Sequence, residues 1–268
     1  MPAILKRFRQ SVLVAASSGK LTEDWRAING NKCAAWKITK GKEIFSFITS
    51  GSRGWASHYA ASGAIFLRIG NLDHETIDLD LSDIQYVNPP EGAEGIRTRV
   101  QLHDILISIT ADVGMVGFVS EPIGEAYINQ HVCLARPKPE NNPKYLAYFL
   151  ASPKGGLGRL QVLSRGATKV GLTLGDIREI EIKLPSVKEQ SEIVRRVESL
   201  FAYADRLEAS YKTARAQVEK LTPSLLAKAF RGELVPQDPN DEPASELLAR
   251  IAASKPIQTK KKASRKVS

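Results

Sequence analysis

The chain has 268 residues, of which 43% are hydrophobic and 25% are charged, as in an ordinary globular protein of one or two domains. No apolar run approaches the ~20 residues that a membrane-spanning helix needs. Two cysteines do not make a disulfide framework, and without an export signal a cytoplasmic location is expected.

The net charge of +9 is unevenly distributed along the chain. The last fifteen residues contribute +6 and residues 1–26 contribute +3, so residues 27–253 are close to neutral. Within this middle part, residues 72–96 carry seven acids and no base, whereas residues 144–169 carry five bases and no acid. Such a separation would attract a polyanion to one side of a domain. The alternative, chance clustering on solvated loops, is equally compatible with the composition.

Residues 2–17 are predicted to form a short helix. Pro2 suits the first helical position, and Gly19 stands where a helix-ending glycine belongs. The apolar stripe of this helix consists of residues at steps of three and four, namely Leu5, Phe8, Val12 and Ala15.

Residues 31–184 are predicted to form a mixed α/β or largely β globular domain of about 150 residues, a common domain size. Glycines are frequent there, and short apolar runs alternate with turns. The predicted strands are 64–69, 105–109, 116–119, 132–135 and 180–184. One helix is predicted over 143–151, ending before Pro153.

Residues 186–221 are predicted to form a long helix. Ser186 and Glu189 have the spacing of a capping box, and an apolar heptad seam follows. The seam consists of Ile193, Val197, Leu200, Ala204, Leu207, Tyr211, Ala214, Val218, Leu221 and Leu225. A helix of ~35 residues is ~50 Å long, so we expect it to pair with another long helix. The alternative is a long helix packed on its own domain.

Proline marks the end of this pattern. Pro223 predicts a break or a new short helix, because proline removes a helical hydrogen bond. A short helix over 244–253 is expected next, and the remaining basic tail is expected to be disordered.

A weak internal repeat brackets the globular domain. Residues 11–21 align with residues 224–234 at an offset of 213, and both segments end in glycine, a charged residue and leucine. This indicates a repeated unit of globular domain, long helix and short helix.

Several segments resemble the DNA-specificity (S) subunits of type I restriction–modification systems. Residues 185–236 are similar to their distal helical region, and residues 4–25 are similar to the end of their central helical region. Residues 262–266 resemble C-termini of one subgroup. Together these cover about a third of the chain. Residues 102–108, 166–168 and 180–185 are more loosely similar to recurrent stretches of the target-recognition domain.

The resemblance implies an α+β fold, with a globular mixed α/β target-recognition domain followed by a long coiled-coil helix and a short helix. The implied domains are an N-terminal helical arm (1–30), the target-recognition domain (31–184), the long helix with the short helix (185–235) and a flexible basic tail (236–268).

The resemblance also implies a function, that of a non-catalytic DNA reader. Its partners would be double-stranded DNA, methyltransferase (M) subunits and a restriction (R) subunit, with S-adenosylmethionine, ATP and Mg²⁺ on those subunits. The ends near Phe8 and Phe230 would dock with the methyltransferase.

This sequence departs from the family in carrying one recognition domain instead of two. It is expected to be either a natural half-subunit that forms a homodimer through the long helix, or part of a longer S subunit that pairs with a second half. A symmetric dimer would read a palindromic split site.

Three patterns with possible chemistry have simpler interpretations. The sequence Asn88-Pro89-Pro90-Glu91 lacks the aromatic residue of adenine methyltransferases, and it is interpreted as a turn. Glu181 and Lys183 have a nuclease-like spacing, but alternating isoleucines favour a strand. The cysteines and histidines show no metal-ligand spacing.

The candidates for DNA contact are polar or aromatic residues in predicted loops and at strand ends. They are Ser52, Arg53, Trp55, Arg68, Asn71, Arg97, Arg99, Lys154, Arg159, Arg165, Thr168 and Lys169. For each of them the alternative is a solvated surface residue. Two other functions remain open, a coiled-coil assembly protein whose globular domain binds protein, and a stand-alone DNA enzyme.

Overall fold

A computed structural model describes residues 2–29, 35–89, 92–165, 171–236, 238, 240 and 242–254. The chain divides into two compact units, Met1–Ser210 and Tyr211–Ser268. Within the described ranges, no helix has both the length and the apolar character needed to cross a membrane.

The first unit contains all the described strands and most helices. The strands are β1 (Lys37–Lys40), β2 (Phe45–Ser50), β3 (Tyr59–Ala60), β4 (Ala64–Leu67), β5 (Gln85–Val87), β6 (Ile105–Ser108), β7 (Val116–Phe118), β8 (Ala126–Ile128), β9 (Val132–Pro137) and β10 (Glu181–Leu184). The helices are α1 (Pro2–Ser18), α2 (Glu23–Asn29), α3 (Gly41–Ile44), α4 (Ala93–Thr98), α5 (Pro143–Ala151), α6 (Gly156–Arg165), α7 (Leu174–Glu179) and the first part of α8 (Val187–Phe230).

The second unit contains the rest of α8 and the short helix α9 (Ala244–Ser254). Nearly all its described residues are exposed. Pro223 lies inside α8, which runs through it, so the predicted break is wrong. Proline leaves one helical carbonyl without its partner, and on this exposed stretch water can bind that carbonyl.

The strands form three sheets. In the first, of order β2-β9-β6-β7, all pairs are antiparallel. The second has the order β3-β5-β4-β8 and contains one parallel pair, β4 with β8. A separate two-stranded sheet pairs β1 with β10.

The strand β6 is buried on both faces. Alternate strand residues point to opposite sides, so Ile105 and Ile107 belong to the cluster that includes α1, α5 and α8 residues. Leu106 belongs instead to the cluster that includes residues of β4 and β8. A strand covered on both faces needs a continuous apolar run, which explains why this strand was predicted from the sequence.

A buried ion pair joins the N-terminal segment to the long helix. Glu189 is fully buried, and its Oε1 accepts hydrogen bonds from Arg26 Nη1 at 2.5 Å and Thr22 Oγ1 at 2.8 Å. Arg26 also donates to the carbonyl of Gly19 at 2.5 Å. The Glu189 amide donates to Ser186 Oγ at 3.3 Å. Half of the predicted capping box is therefore present, while the carboxylate binds the N-terminal segment instead.

The predicted elements that carry a strong pattern are confirmed. The N-terminal helix ends one residue later than predicted, and Gly19 has a φ of 81°, in the left-handed region. The 143–151 helix has the predicted bounds, with Asn142 as its N-cap. The five predicted strands are present within two residues at each end, and α9 is present. The sequence did not predict the helices α2, α3, α4, α6 and α7, nor the strands β1, β2, β3, β5 and β8.

Replacing Arg26 with methionine is expected to lower the free energy of unfolding by about 3–5 kcal/mol, because it leaves the buried Glu189 carboxylate without its cation. Denaturant unfolding measures this change. The control is Arg195→Met, which removes an exposed i,i+3 ion pair with Glu192 on the same helix and is expected to cost less than about 1 kcal/mol. Equal costs for the two variants would contradict the structural role of the buried pair.

Candidate nucleic-acid interface

Several strands end at the same edge of the first unit. Ser50 pairs with Cys133, and Ser108 pairs with Val132, so β2 and β6 both end beside the start of β9. The end of β4 lies there too, since the Asn129 amide donates to the Leu67 carbonyl at 3.0 Å. The three connecting segments 51–54, 110–114 and 129–131 are called the loop rim below.

Backbone hydrogen bonds hold the loop rim together. The Gly51 amide donates to the Asn129 carbonyl at 3.2 Å, and the Ile109 amide donates to the His131 carbonyl at 3.0 Å. A Cβ atom at Gly51 would lie 2.3 Å from the Ile128 carbonyl oxygen. Only glycine permits this close approach of two backbones.

The helix α4 fixes the first rim segment through Arg97. Its guanidinium donates to Thr49 Oγ1 at 2.5 Å, to the Ser50 carbonyl at 2.5 Å and to Ser52 Oγ at 2.7 Å. Arg97 and Ser52, both predicted DNA contacts, therefore bind each other. Arg53 lies between Ser52 and Gly54 in the first rim segment and is exposed. Its side chain can therefore reach a ligand at the rim.

Two predicted DNA contacts are structural residues instead. Trp55 is 3% exposed, stacks on Phe66 with ring centres 5.1 Å apart, and donates its indole N–H to Glu94. Asn71 is also buried: its carbonyl oxygen accepts from the Arg68 amide, and its amide donates to the Asp80 and Asp83 carbonyls. The prediction of DNA contact is wrong for both, because buried side chains with these partners cannot reach a base.

The other two arginines of the central segment lie in different places. Arg68 directly follows β4, next to the loop rim, and its guanidinium is 3.4 Å from Asp83 Oδ2. Arg99 is exposed and forms an isolated β-bridge with Tyr127. The Arg99 carbonyl accepts a hydrogen bond from the Arg136 guanidinium.

Two of the five bases in segment 144–169 form ion pairs with acids from elsewhere in the chain. Lys144 lies 2.5 Å from Glu198, and Arg159 pairs with Glu181. The hydrogen bond from Arg159 lowers the pKa of Glu181, which keeps this carboxylate ionised. Lys154 is exposed. The positive charges of Lys144 and Arg159 are therefore balanced locally by Glu198 and Glu181.

The rest of that segment is described only in part. Arg165 ends α6, and Thr168 and Lys169 lie outside the described residues. Leu172, close after them in the sequence, donates its amide to the Ile109 carbonyl at 2.7 Å, beside the loop rim.

Three rim side chains were not predicted from the sequence. His131 lies between Thr110, whose Oγ1 is 2.6 Å from its Nδ1, and Gln130, whose Nε2 is 3.0 Å from its Nε2. All three are half-buried. The only sequence signal was a run of three polar residues, Asn-Gln-His, between two apolar strands.

The heptad seam divides into two parts. Ile193, Val197 and Ala204 are fully buried, and Leu200 packs partly against the same core. This part packs on its own domain, which was the alternative to pairing. In the second unit the seam is exposed, with Val218, Leu221 and Leu225 between 45% and 66% exposed.

The patterns weighed as possible chemistry have structural explanations where they are described. Glu181 and Lys183 face solvent on β10 while Ile182 between them is buried, which confirms the strand interpretation. Pro90, Glu91 and Cys33 lie outside the described residues. Among the described residues, no three His, Cys, Asp or Glu side chains are placed to hold a metal ion. Burial raises the pKa of the Cys133 thiol to about 12.

Comparison with known proteins points to one kind of system. Residues 95–217 match a family model described as type I restriction modification DNA specificity domain. The chain is 33% identical to the type I restriction enzyme EcoBI specificity subunit of Escherichia coli over 99% of its length. It is 35% identical to the EcoKI specificity subunit of Escherichia coli strain K12 over 100% of its length. The chain spans 60% of the length of each of these relatives.

Solved structures show the same fold. The HsdS subunit from Thermoanaerobacter tengcongensis matches with a TM-score of 0.53 and 21% identity, over 87% of this chain and 56% of that chain. The type I restriction–modification S subunit from M. genitalium matches with a TM-score of 0.52 and 15% identity, over 84% of this chain and 54% of that chain.

Replacing Gly51 with alanine is expected to lower the free energy of unfolding by about 1–3 kcal/mol, the usual cost of overpacking, because the new Cβ meets backbone. The matched control is Gly70→Ala. Gly70 has open space around its Cβ position and no positive φ, so its stability should change by less than about 1 kcal/mol. Denaturant midpoints of the two variants check this. A Gly51→Ala variant as stable as Gly70→Ala would contradict the close packing of the loop rim.

Proposed function

We propose that this chain reads a DNA sequence and positions partner subunits on it, because 99–100% of its length is similar to type I restriction enzyme specificity subunits. The relationship carries the proposal, together with the specificity domain matched over residues 95–217. The loop rim supports the proposal, because the rim combines an exposed arginine with fixed polar groups at the strand ends of a rigid sheet.

In this proposal the chain does no chemistry itself. The relatives are named specificity subunits, and the proposed partners are methyltransferase and restriction subunits. S-adenosylmethionine, ATP and Mg²⁺ would be bound by those partners. The DNA would meet the loop rim, where Arg53 and Arg68 would contact phosphates and the polar rim side chains would approach the bases.

The exposed half of the seam supports a second part of the proposal. Val218, Leu221 and Leu225 present apolar surface to solvent on a helix that continues past its own domain. We propose that a second long helix covers this surface, in a second copy of this chain or in a matching S-subunit half. Val218, Leu221 and Leu225 span about two helical turns, and they continue the 3- and 4-residue spacing that a coiled coil requires.

The central experiment selects DNA from a random duplex library with the chain bound to its methyltransferase subunit. The proposal predicts enrichment of a defined sequence, and competition by that duplex at least about 1000-fold better than by a scrambled one. If no sequence is enriched while the complex assembles, the chain is an assembly protein and the proposal fails.

The variant Arg53→Gln is expected to weaken binding of all duplexes by a similar factor and to reduce the slope of log affinity against log salt by about one. This is the signature of one lost phosphate contact. Lys188→Gln removes the same charge from an exposed position on α8 and should leave the slope unchanged. If both variants change the slope equally, Arg53 makes no specific contact with a DNA phosphate.

The seam is tested with two adjacent leucines of similar exposure. Leu225 is a seam residue, whereas Leu226 takes the outward position next to it. Light scattering of the unmodified chain is expected to give twice 29.4 kDa. Leu225→Glu should shift the dissociation constant of the dimer at least about tenfold, and Leu226→Glu should have little effect. A monomer at all concentrations would contradict self-pairing and leave a separate S-subunit half as the only partner.

A further inference from the structure

One chain of hydrogen bonds crosses the loop rim and ends at a side chain that can still bind a ligand. His131 is fixed from both sides. Its own amide donates to Asn129 Oδ1 at 3.0 Å, and its ring contacts Thr110 Oγ1 at 2.6 Å and Gln130 Nε2 at 3.0 Å. The Ile109 amide donates to its carbonyl at 3.0 Å. Backbone and side chain of this residue are therefore both held.

The hydrogen bonds define which atoms of Gln130 remain to bind. Gln130 contacts one nitrogen of the His131 ring through its Nε2, and the Thr110 hydroxyl contacts the other ring nitrogen. Gln130 then keeps its carbonyl oxygen and its second N–H, an acceptor and a donor side by side on a half-buried side chain.

This pair of groups matches one base edge in the DNA major groove. Adenine presents the N7 acceptor beside the N6 amino donor, and a glutamine side chain binds both at once. Guanine presents two acceptors at the corresponding positions, which would leave the glutamine oxygen facing an acceptor. A side chain already fixed by its neighbours loses little entropy when it binds.

We propose that Gln130 reads an adenine in the target sequence, and that His131 and Thr110 are its positioning residues. The proposal rests on the proposed function, since it takes the loop rim to be the surface that meets DNA. Arg53 and Arg68 beside the rim would hold the phosphates on either side. Gln130 would supply the sequence information that these phosphate contacts cannot carry.

The test uses the chain with its methyltransferase subunit and the sequence enriched from a random duplex library. In Gln130→Ala, preference for adenine at one position of the site is expected to fall from about tenfold or more to near onefold. Affinity for scrambled duplexes should stay unchanged. In Gln130→Glu, the preference at that position should move toward cytosine, because a carboxylate can accept a hydrogen bond from the cytosine amino group. The shift of preference to another base cannot result from misfolding.

The matched control is Gln101→Ala. Gln101 is an exposed glutamine that precedes β6, whereas Thr110 follows it, so the two lie at opposite ends of one strand. This control should leave the preference at every position unchanged. His131→Ala should lower the adenine preference at the same position as Gln130→Ala, with the thermal midpoint within a few degrees of the unmodified chain.

Two negative outcomes are distinguishable. If the unmodified complex enriches a sequence and Gln130→Ala and Gln130→Glu leave its preferences unchanged, the assignment of Gln130 is overturned and the DNA-reading function stands. If the unmodified complex enriches no sequence, the proposed function itself fails, and the assignment of Gln130 fails with it.

Discussion

The burial of β6 and β9 on both faces is the constraint on which the rest of the structure depends. One face of this sheet packs against α1, α5 and the first part of α8, and the other packs against the second sheet. Strands covered on both sides cannot shift in register without exposing apolar side chains. Their ends are therefore fixed in space, and the three segments of the loop rim are fixed with them. A recognition surface built on loops gains its precision from such a rigid support.

The same buried core fixes the long helix to the domain. Ile193 and Val197 pack in it, and the ion pair of Glu189 with Arg26 closes the contact from the N-terminal side. One heptad seam thus has two uses along its length. The first part is part of the domain core, and the exposed part is available to a partner helix.

The sequence predicted what local patterns determine, and it failed where contacts come from distant residues. Continuous apolar runs gave β6 and β9, and proline, glycine and heptad spacing gave α1, α5 and α8. The edge strand β2 was missed because polar and apolar residues are mixed in its sequence. Its unpaired carbonyls accept hydrogen bonds from Arg97 and Arg178, which are distant in the sequence. At the candidate site, the contacts of Arg53 and Ser52 with DNA stay predictions from their glycine-flanked loop, whereas Trp55 is buried against Phe66, a packing partner that the local sequence does not reveal. Gln130 and His131 were missed because only the sheet order brings them beside Thr110.

The most direct test is hydrogen exchange of the chain in complex with the proposed methyltransferase subunit, with and without a duplex that carries the selected site. DNA binding at the loop rim predicts slower exchange for the amides of 51–54 and 129–131. It predicts no change for 138–141, at the opposite end of the same sheet. Slower exchange at 138–141 with none at the loop rim would show that the DNA meets the other end of the domain, and it would contradict the account.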